Sequence, residues 1–147
     1  MRQQTPIRVG ADHERRYPGA QKLATETVVN VLRAGALLNA ELNRKLRAFG
    51  LSLATFNVLM ILDGDDRPLC PYEIGDRLLV TRGTVTGLLD SLERLGMTRR
   101  FAHPDDRRML LVEMTPKARK TLSKLSAEFF PLEVEATSCL NDRERRP

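Results

Sequence analysis

Apolar residues recur at alternating spacings of three and four positions through much of this chain, which is the period of an amphipathic α-helix. The first such stretch runs from about Ala24 to Phe49, and Gly50 supplies a helix stop signal. Its apolar line comprises Val28, Val31, Gly35, Leu38, Leu42 and Phe49. The pattern predicts one long helix. Before it, prolines and glycines break any regular pattern over residues 1–20, which are predicted to form a flexible polar arm.

Three shorter helices are predicted to follow in close succession. Ser52 caps a largely buried helix with the sequence LATFNVLMILD, which ends at Gly64. Pro71 lies in the first turn of the next helix. The positions of that helix predicted to point inward are Ile74, Leu78 and Leu79. Thr81 then caps a further helix after a turn of only two or three residues, and Gly96 stops it.

The helix between Thr81 and Gly96 is amphipathic, and its polar side contains two glycines. At 100° per residue, the apolar side comprises Val85, Leu88, Leu89, Leu92 and Leu95. The polar side comprises Gly83, Thr84, Thr86, Gly87, Asp90, Ser91 and Arg94. Each glycine costs about 1 kcal/mol of helix stability relative to alanine. Outward glycines indicate a face that a wide ligand approaches closely; the alternatives are a neighbouring helix or simple tolerance in solvent.

Two short segments with strand character follow, TRRFA and MLLVEM, joined by HPDDRR, and they predict a hairpin with a charged tip. Thr115 as cap and Pro116 in the first turn then start a last helix. Its apolar seam comprises Ala118, Leu122, Leu125, Phe129 and Leu132. Such a narrow seam suits helix against helix, either within a subunit or between two. Pro131 is predicted to kink or end this helix.

Charge indicates the kind of partner. Twenty-four Lys and Arg against nineteen Asp and Glu give a net charge of +5, which favours polyanions. The predicted elements follow the order of a winged helix-turn-helix: a helix, a short turn, an amphipathic helix and an arginine-tipped hairpin. Threonine hydroxyls can meet base edges, and arginines at the tip can enter an adjacent minor groove. For the isolated tip, a solvated turn is the alternative.

Other classes of function find little support. The two histidines, His13 and His103, lie in the arm and the hairpin tip, away from any nucleophile or metal-ligand pattern. Cys70 and Cys139 lie far apart in no zinc spacing. We therefore predict no enzyme activity and no cofactor. Because no apolar run approaches the roughly 18 residues of a membrane span, the chain is expected to be cytoplasmic.

From about Leu51 to Arg119, the sequence resembles the MarR family of bacterial transcriptional regulators, notably in PYEIGDRLLVTRGTVTGLLDSLERLGMTRR and HPDDRRMLLVEMTPKAR. Asp106 and Arg108 match the family's D-x-R wing pattern. The resemblance implies a mainly α fold with a small β-hairpin wing. The winged helix-turn-helix spans 51–114, and long dimerisation helices flank it at 21–50 and 115–147. The chain stops where the family's last helix would begin.

The resemblance also implies a homodimer that binds a pseudo-palindromic double-stranded DNA operator, commonly as a repressor released by a small aromatic effector. Together with the polar face, it gives the following DNA-contacting set: Thr81, Arg82, Gly83, Thr84, Thr86, Gly87, Arg94, Asp106, Arg107 and Arg108. The predicted dimer interface comprises Val28, Val31, Leu38, Leu122, Leu125, Phe129 and Leu132. The alternative is a winged-helix module whose threonine–glycine face docks another protein. Effector, operator and sign of regulation stay open.

Overall fold

The computed structural model describes residues 5–106 and 108–146. It divides into two compact units, Met1–Glu41 and Leu42–Pro147. The helices are α1 (His13–Arg16), α2 (Lys22–Leu46), a 3-10 turn (Arg47–Phe49), α3 (Leu53–Asp63), α4 (Pro71–Leu78), α5 (Arg82–Arg94) and α6 (Pro116–Ala136). The strands are β1 (Thr98–Ala102) and β2 (Leu110–Met114). The predicted class, mainly α with one small antiparallel hairpin, is confirmed.

Within the first unit, the N-terminal segment lies along α2. The side-chain amide of Asn30 accepts from the N–H of Ile7 and donates to its carbonyl, each at 2.8 Å. One turn earlier, the buried carboxylate of Glu26 accepts from the N–H of Val9 at 2.9 Å. Residues 13–16 form one helical turn, so the predicted absence of regular structure is wrong there. The turn has long-range partners that no local pattern reveals: His13 Nε2 lies 3.2 Å from the Thr25 hydroxyl oxygen, and the Glu14 carboxylate accepts from the Lys22 N–H at 2.9 Å.

The predicted helix caps are confirmed in the second unit. Ser52, Thr81 and Thr115 each accept from the backbone N–H three residues later, at 3.2, 3.3 and 3.3 Å. Gly50 has φ +72° and follows the turn that ends the long helical segment. These caps satisfy N–H groups that have no partner inside the helix, and they therefore define where α3, α5 and α6 begin.

The start of α4 is stabilised by the ion pair between Glu73 and Arg67. The Glu73 carboxylate accepts from the backbone N–H of Cys70 at 2.8 Å and pairs with the Arg67 guanidinium. Arg67 and then the Cys70 N–H lower the pKa of Glu73 from 4.5 to about 2. This stabilisation is present at neutral pH and is lost as pH falls from 4.5 through about 2. Cys70, a weak cap by type, is thus supported by its neighbour three residues on.

One hydrophobic core fills the second unit and includes the seam of α6. Leu122, Leu125 and Phe129 are buried in it, and the Phe129 ring lies 4.5 Å from the Phe56 ring, centroid to centroid. Their prediction as dimer-interface residues is therefore wrong, because their own subunit covers them. Leu132 is half-buried against the same core. The helix also continues through Pro131 to Ala136, so Pro131 does not end it.

The turn between α4 and α5 corrects a further prediction. Leu79 adopts φ +55° and is 92% exposed, whereas the helical period placed it inward. The left-handed residue that ends α4 reverses the backbone and directs this side chain outward. Gly75 lies where α4 meets α5, and a Cβ there would lie 3.1 Å from Val85 Cγ2. This close contact positions α5 against α4.

The hairpin is anchored at its base. β1 and β2 pair antiparallel from Thr98 opposite Met114 to Ala102 opposite Leu110. Leu69 bridges to Val112 on the other edge of β2, with N–H to carbonyl bonds of 3.0 and 2.8 Å. Because Leu69 directly precedes the start of α4, the wing and the helix-turn-helix share one support.

Taken one at a time, the described helices do not have the dimensions and composition of a membrane span. No single one is long and apolar enough to cross a bilayer. The bent pair Lys22–Phe49 and Leu53–Asp63 reaches that length and apolarity only when its two members are taken together. The second member is α3, which buries Phe56, Val58, Leu59 and Leu62 in the core.

Candidate nucleic-acid interface

The polar face of α5 is exposed, as predicted. Val85, Leu89 and Leu92 bury the opposite side against α3 and α4. The exposed residues at the cap and on the polar face are Thr81, Arg82, Gly83, Thr84, Thr86, Gly87, Asp90 and Arg94. A Cβ at Gly87 would meet no described atom within 4 Å, and one at Gly83 would only touch Thr81 Oγ1 at 4.0 Å. Packing among the described residues therefore requires neither glycine.

Arg94 lies at the far end of this face. Its Nε donates to the Asp90 carbonyl at 3.4 Å, and its Nη2 donates to the Ser91 hydroxyl at 3.1 Å. The guanidinium therefore folds back over its own helix. Arg82, at the other end, presents an exposed side chain beside the helix N-terminus, where backbone N–H groups also attract anions.

The tip of the wing is shaped by an aspartate. Asp106 accepts from the backbone N–H of Arg108 at 2.9 Å, and the Asp106 carbonyl accepts from the N–H of Met109 at 2.9 Å. Asp106 therefore stabilises the turn through hydrogen bonds to the backbone. It forms no ion pair with the guanidinium of Arg108, which is exposed. Arg107, the other predicted wing residue, lies outside the described residues.

Arg100 links the wing to the polar face of α5, and the sequence analysis did not identify it as a functional residue. Its Nη1 donates to Asp90 Oδ1 at 2.6 Å and to Glu93 Oε2 at 3.2 Å, and its Nη2 donates to the Thr86 carbonyl at 3.3 Å. Its side chain is only 21% exposed. It ties β1 to α5 and neutralises two carboxylates on a face predicted to meet phosphates. Strand alternation marks Arg100 and Arg99 as facing opposite ways but does not name the partner.

We expect Arg100→Gln to weaken duplex binding about fivefold to tenfold, because the two carboxylates then repel phosphate and the wing loses its link to α5. The loss should be smaller in an Asp90→Asn background, where less negative charge needs neutralising. Fluorescence anisotropy over the four-variant cycle measures this coupling. Arg99→Gln is the matched control, since Arg99 pairs with Glu113 across the hairpin. Equal losses at both arginines would show that only net charge matters.

A concavity of about 320 Å³ lies beside the polar face of α5. Its lining comprises Cys70, Pro71, Tyr72, Arg82, Val85, Thr86, Met109 and Leu110. The lining is mostly apolar, and it combines the start of α4, one flank of α5 and the end of the hairpin next to the wing tip. Burial raises the pKa of the Cys70 thiol, which keeps the reactive thiolate scarce.

Comparison with known proteins identifies the family. The sequence model of the MarR family matches residues 49–109. The HTH-type transcriptional repressor YetL of Bacillus subtilis is 31% identical over 81% of this chain and 72% of its own length. The chain belongs to the MarR family. It is therefore a DNA-binding transcriptional regulator, and the predicted class is confirmed over the protein-docking alternative.

Solved MarR-family structures share this fold. A single-site mutant of MarR from E. coli, complexed with operator DNA, is 25% identical and superposes with a TM-score of 0.69 over 78% of this chain and 81% of that chain. CouR from Rhodococcus jostii RHA1, bound to p-coumaroyl-CoA, superposes with a TM-score of 0.74 at 21% identity, over 84% of this chain and 87% of that chain. At that identity, the CouR likeness concerns the fold alone.

Proposed function

We propose that this MarR-family regulator is a cytoplasmic homodimeric repressor of a pseudo-palindromic operator. In this proposal α5 enters the major groove and the wing tip enters the adjacent minor groove. The supporting observation is the exposed face of α5, where threonines stand beside Gly83 and Gly87 and a Cβ at Gly87 would meet no described atom within 4 Å. YetL, named a repressor, and the operator complex of the E. coli MarR mutant support the same reading.

The dimer contact we propose lies on α2. Val28, Val31 and Leu38, all predicted for this role, are exposed, and Leu32 beside them is exposed as well. At 100° per residue, Val28, Val31 and Leu32 lie about 100° or more around the helix from Glu26 and Asn30, which hold residues 7–9. That segment thus covers one side and leaves the apolar side open to a second copy.

The effector we propose is a small aromatic molecule, bound between α3 and α6. A cavity of about 230 Å³ there includes Phe56, Met60 and Phe130 in its lining. Arg119 lies at the same cavity, 3.6 Å from Asp63, and offers a cation to an acidic group. A panel of aromatic carboxylates tested by thermal shift checks this: stabilisation that disappears in Arg119→Gln supports it, and indifference across the panel contradicts it.

Selection of bound sequences from a random duplex pool tests the DNA proposal directly. A dimer that reads one face of the duplex should select two half-sites about one helical turn, or a multiple of it, apart. Affinity for the selected duplex should fall steeply with salt, because phosphate contacts release counterions. A folded protein that selects no duplex at low salt would refute the proposal.

Arg108→Ala should weaken binding to all duplexes by a similar factor and reduce the slope of log affinity against log salt by about 1, as expected for one lost phosphate or minor-groove contact. The physical reason is that the Asp106 turn presents this guanidinium at the wing tip without engaging it. Anisotropy titrations at four salt concentrations measure the slope. Arg108→Lys keeps the charge and should retain it; an unchanged slope in Arg108→Ala would remove the wing from the interface.

A further inference from the structure

We propose that Thr86 recognises an A·T base pair, using its hydroxyl oxygen as an acceptor for the adenine amino group and its methyl group as a contact for the thymine methyl. The inference rests on the proposed entry of α5 into the major groove and adds the class of base pair read there. It follows from how the hydroxyl protons of α5 are already used.

The Thr86 hydroxyl donates its proton to the carbonyl of Arg82 at 3.1 Å. A hydroxyl has one proton and two lone pairs, so Thr86 faces solvent as an acceptor. At the helix start, the Thr81 and Thr84 hydroxyls share one hydrogen bond at 2.9 Å, and Thr81 also accepts from the Thr84 N–H. The Thr86 hydroxyl proton is therefore bonded to the Arg82 carbonyl, and one hydroxyl proton of the Thr81 and Thr84 pair lies between their two oxygens. The other hydroxyl proton of that pair is available to a ligand.

Base edges in the major groove differ in what they offer to such a residue. Guanine presents only acceptors there, N7 and O6, which an acceptor oxygen cannot bind. Adenine and cytosine present amino donors, but a methyl group stands beside the donor only in the A·T pair, where thymine supplies it. A threonine that offers a lone pair and a methyl group therefore matches A·T on both counts.

The surroundings of Thr86 fit this assignment. On the helix, the next residue is Gly87, where a Cβ would meet no described atom within 4 Å, so this neighbour has no side chain that could stand between Thr86 and a base. Beside it lies the concavity whose apolar lining includes Val85, Met109 and Leu110. That lining provides an apolar environment for the methyl group of the thymine. The bond from Arg100 to the Thr86 carbonyl holds this turn in place.

Two variants separate the two contacts. Thr86→Val keeps the methyl shape and removes the acceptor oxygen, whereas Thr86→Ser keeps the oxygen and removes the methyl group. The position read by Thr86 is the one whose base preference changes between the wild-type selection and the selections with these variants. The selected duplex is then made with deoxyuridine for thymine, which removes the methyl group, or 2-aminopurine for adenine, which removes the amino group at C6.

With wild-type protein, each analogue at that position should reduce affinity roughly threefold to tenfold. Thr86→Val should lose its response to 2-aminopurine and keep its response to deoxyuridine, and Thr86→Ser should do the reverse. Thr121→Val is the matched control, because the Thr121 hydroxyl donates to the Lys117 carbonyl on α6 in the same way, and it should respond to both analogues as wild type does. Circular dichroism checks that the variants are folded.

The outcomes distinguish this inference from the proposed function. If wild-type protein selects a duplex but places G·C at the Thr86-dependent position, or if Thr86→Val still responds to 2-aminopurine, the assignment of Thr86 is overturned while DNA binding stands. If no duplex is selected, the proposed DNA-binding function itself is refuted. Crossed responses of Val and Ser establish both contacts.

Discussion

Replacing Gly87 by alanine is expected to stabilise the protein and to weaken its binding to DNA. Gly87 lies inside α5 at a negative φ, and an added Cβ would meet no described atom within 4 Å. Alanine should therefore raise the free energy of unfolding by up to about 1 kcal/mol, the difference in helix propensity. The same Cβ would stand between the helix and the base edges, and we expect affinity for the selected duplex to fall about tenfold, equivalent to about 1.4 kcal/mol.

Urea unfolding and anisotropy on the same preparations measure the two effects. Gly83→Ala is the matched variant: it lies in the first turn, where helix propensity matters less, so the loss of affinity should come with a smaller gain in stability. If Gly87→Ala keeps full affinity, close approach is not the reason for the glycine. If it loses stability, the Cβ meets part of the protein after all.

Phe129→Ala should produce the largest loss of stability among the changes considered, about 3–5 kcal/mol. Phe129 is 1% exposed and its ring packs against Phe56 at an interplanar angle of 48°, so truncation removes apolar burial and leaves a cavity in the core of the second unit. Denaturant titration measures the change. Because small domains are stable by only about 5–15 kcal/mol, a large part of the total is at stake.

Val31→Lys is the contrasting variant, since Val31 is 64% exposed on α2. It should leave the helical content unchanged and shift sedimentation toward the monomer, because a charge would be buried without a partner in the proposed dimer. Phe129 and Val31 were both predicted to lie in the dimer interface. The two variants test a core role for Phe129 and an interface role for Val31. A Phe129→Ala protein of unchanged stability, or a Val31→Lys protein that remains dimeric, would contradict the assignment of that residue.

The distinction between Phe129 and Val31 illustrates a limit of sequence periodicity. Both lie on apolar stripes with the same spacing, and each stripe predicts a covered helix face. The spacing contains no information about whether the cover is another helix of the same subunit or a second copy. In α6 the cover is the subunit's own core, whereas on α2 the stripe residues Val28, Val31 and Leu38 are exposed.

Arg100 and Leu79 illustrate the same limit for polar and terminal positions. The partners of Arg100 lie 7 to 14 residues earlier in sequence and meet it only after β1 packs beside α5. Leu79 keeps the helical period but lies at the left-handed residue that ends α4, so the period no longer applies to its side chain. In both cases long-range packing or a change of backbone handedness overrides the local pattern.

The sequence by itself determined the starts of α3, α5 and α6, the exposed glycine–threonine face and the hairpin, because caps and amphipathic periods depend on residues three or four positions apart. The resemblance then named the family that the comparisons established. Only the tertiary structure decided which apolar stripe is core, how Arg100 joins wing to helix, and which hydroxyl protons are already in use. Those features depend on contacts between distant segments or on the orientation of single atoms, and neither leaves a periodic trace in the chain.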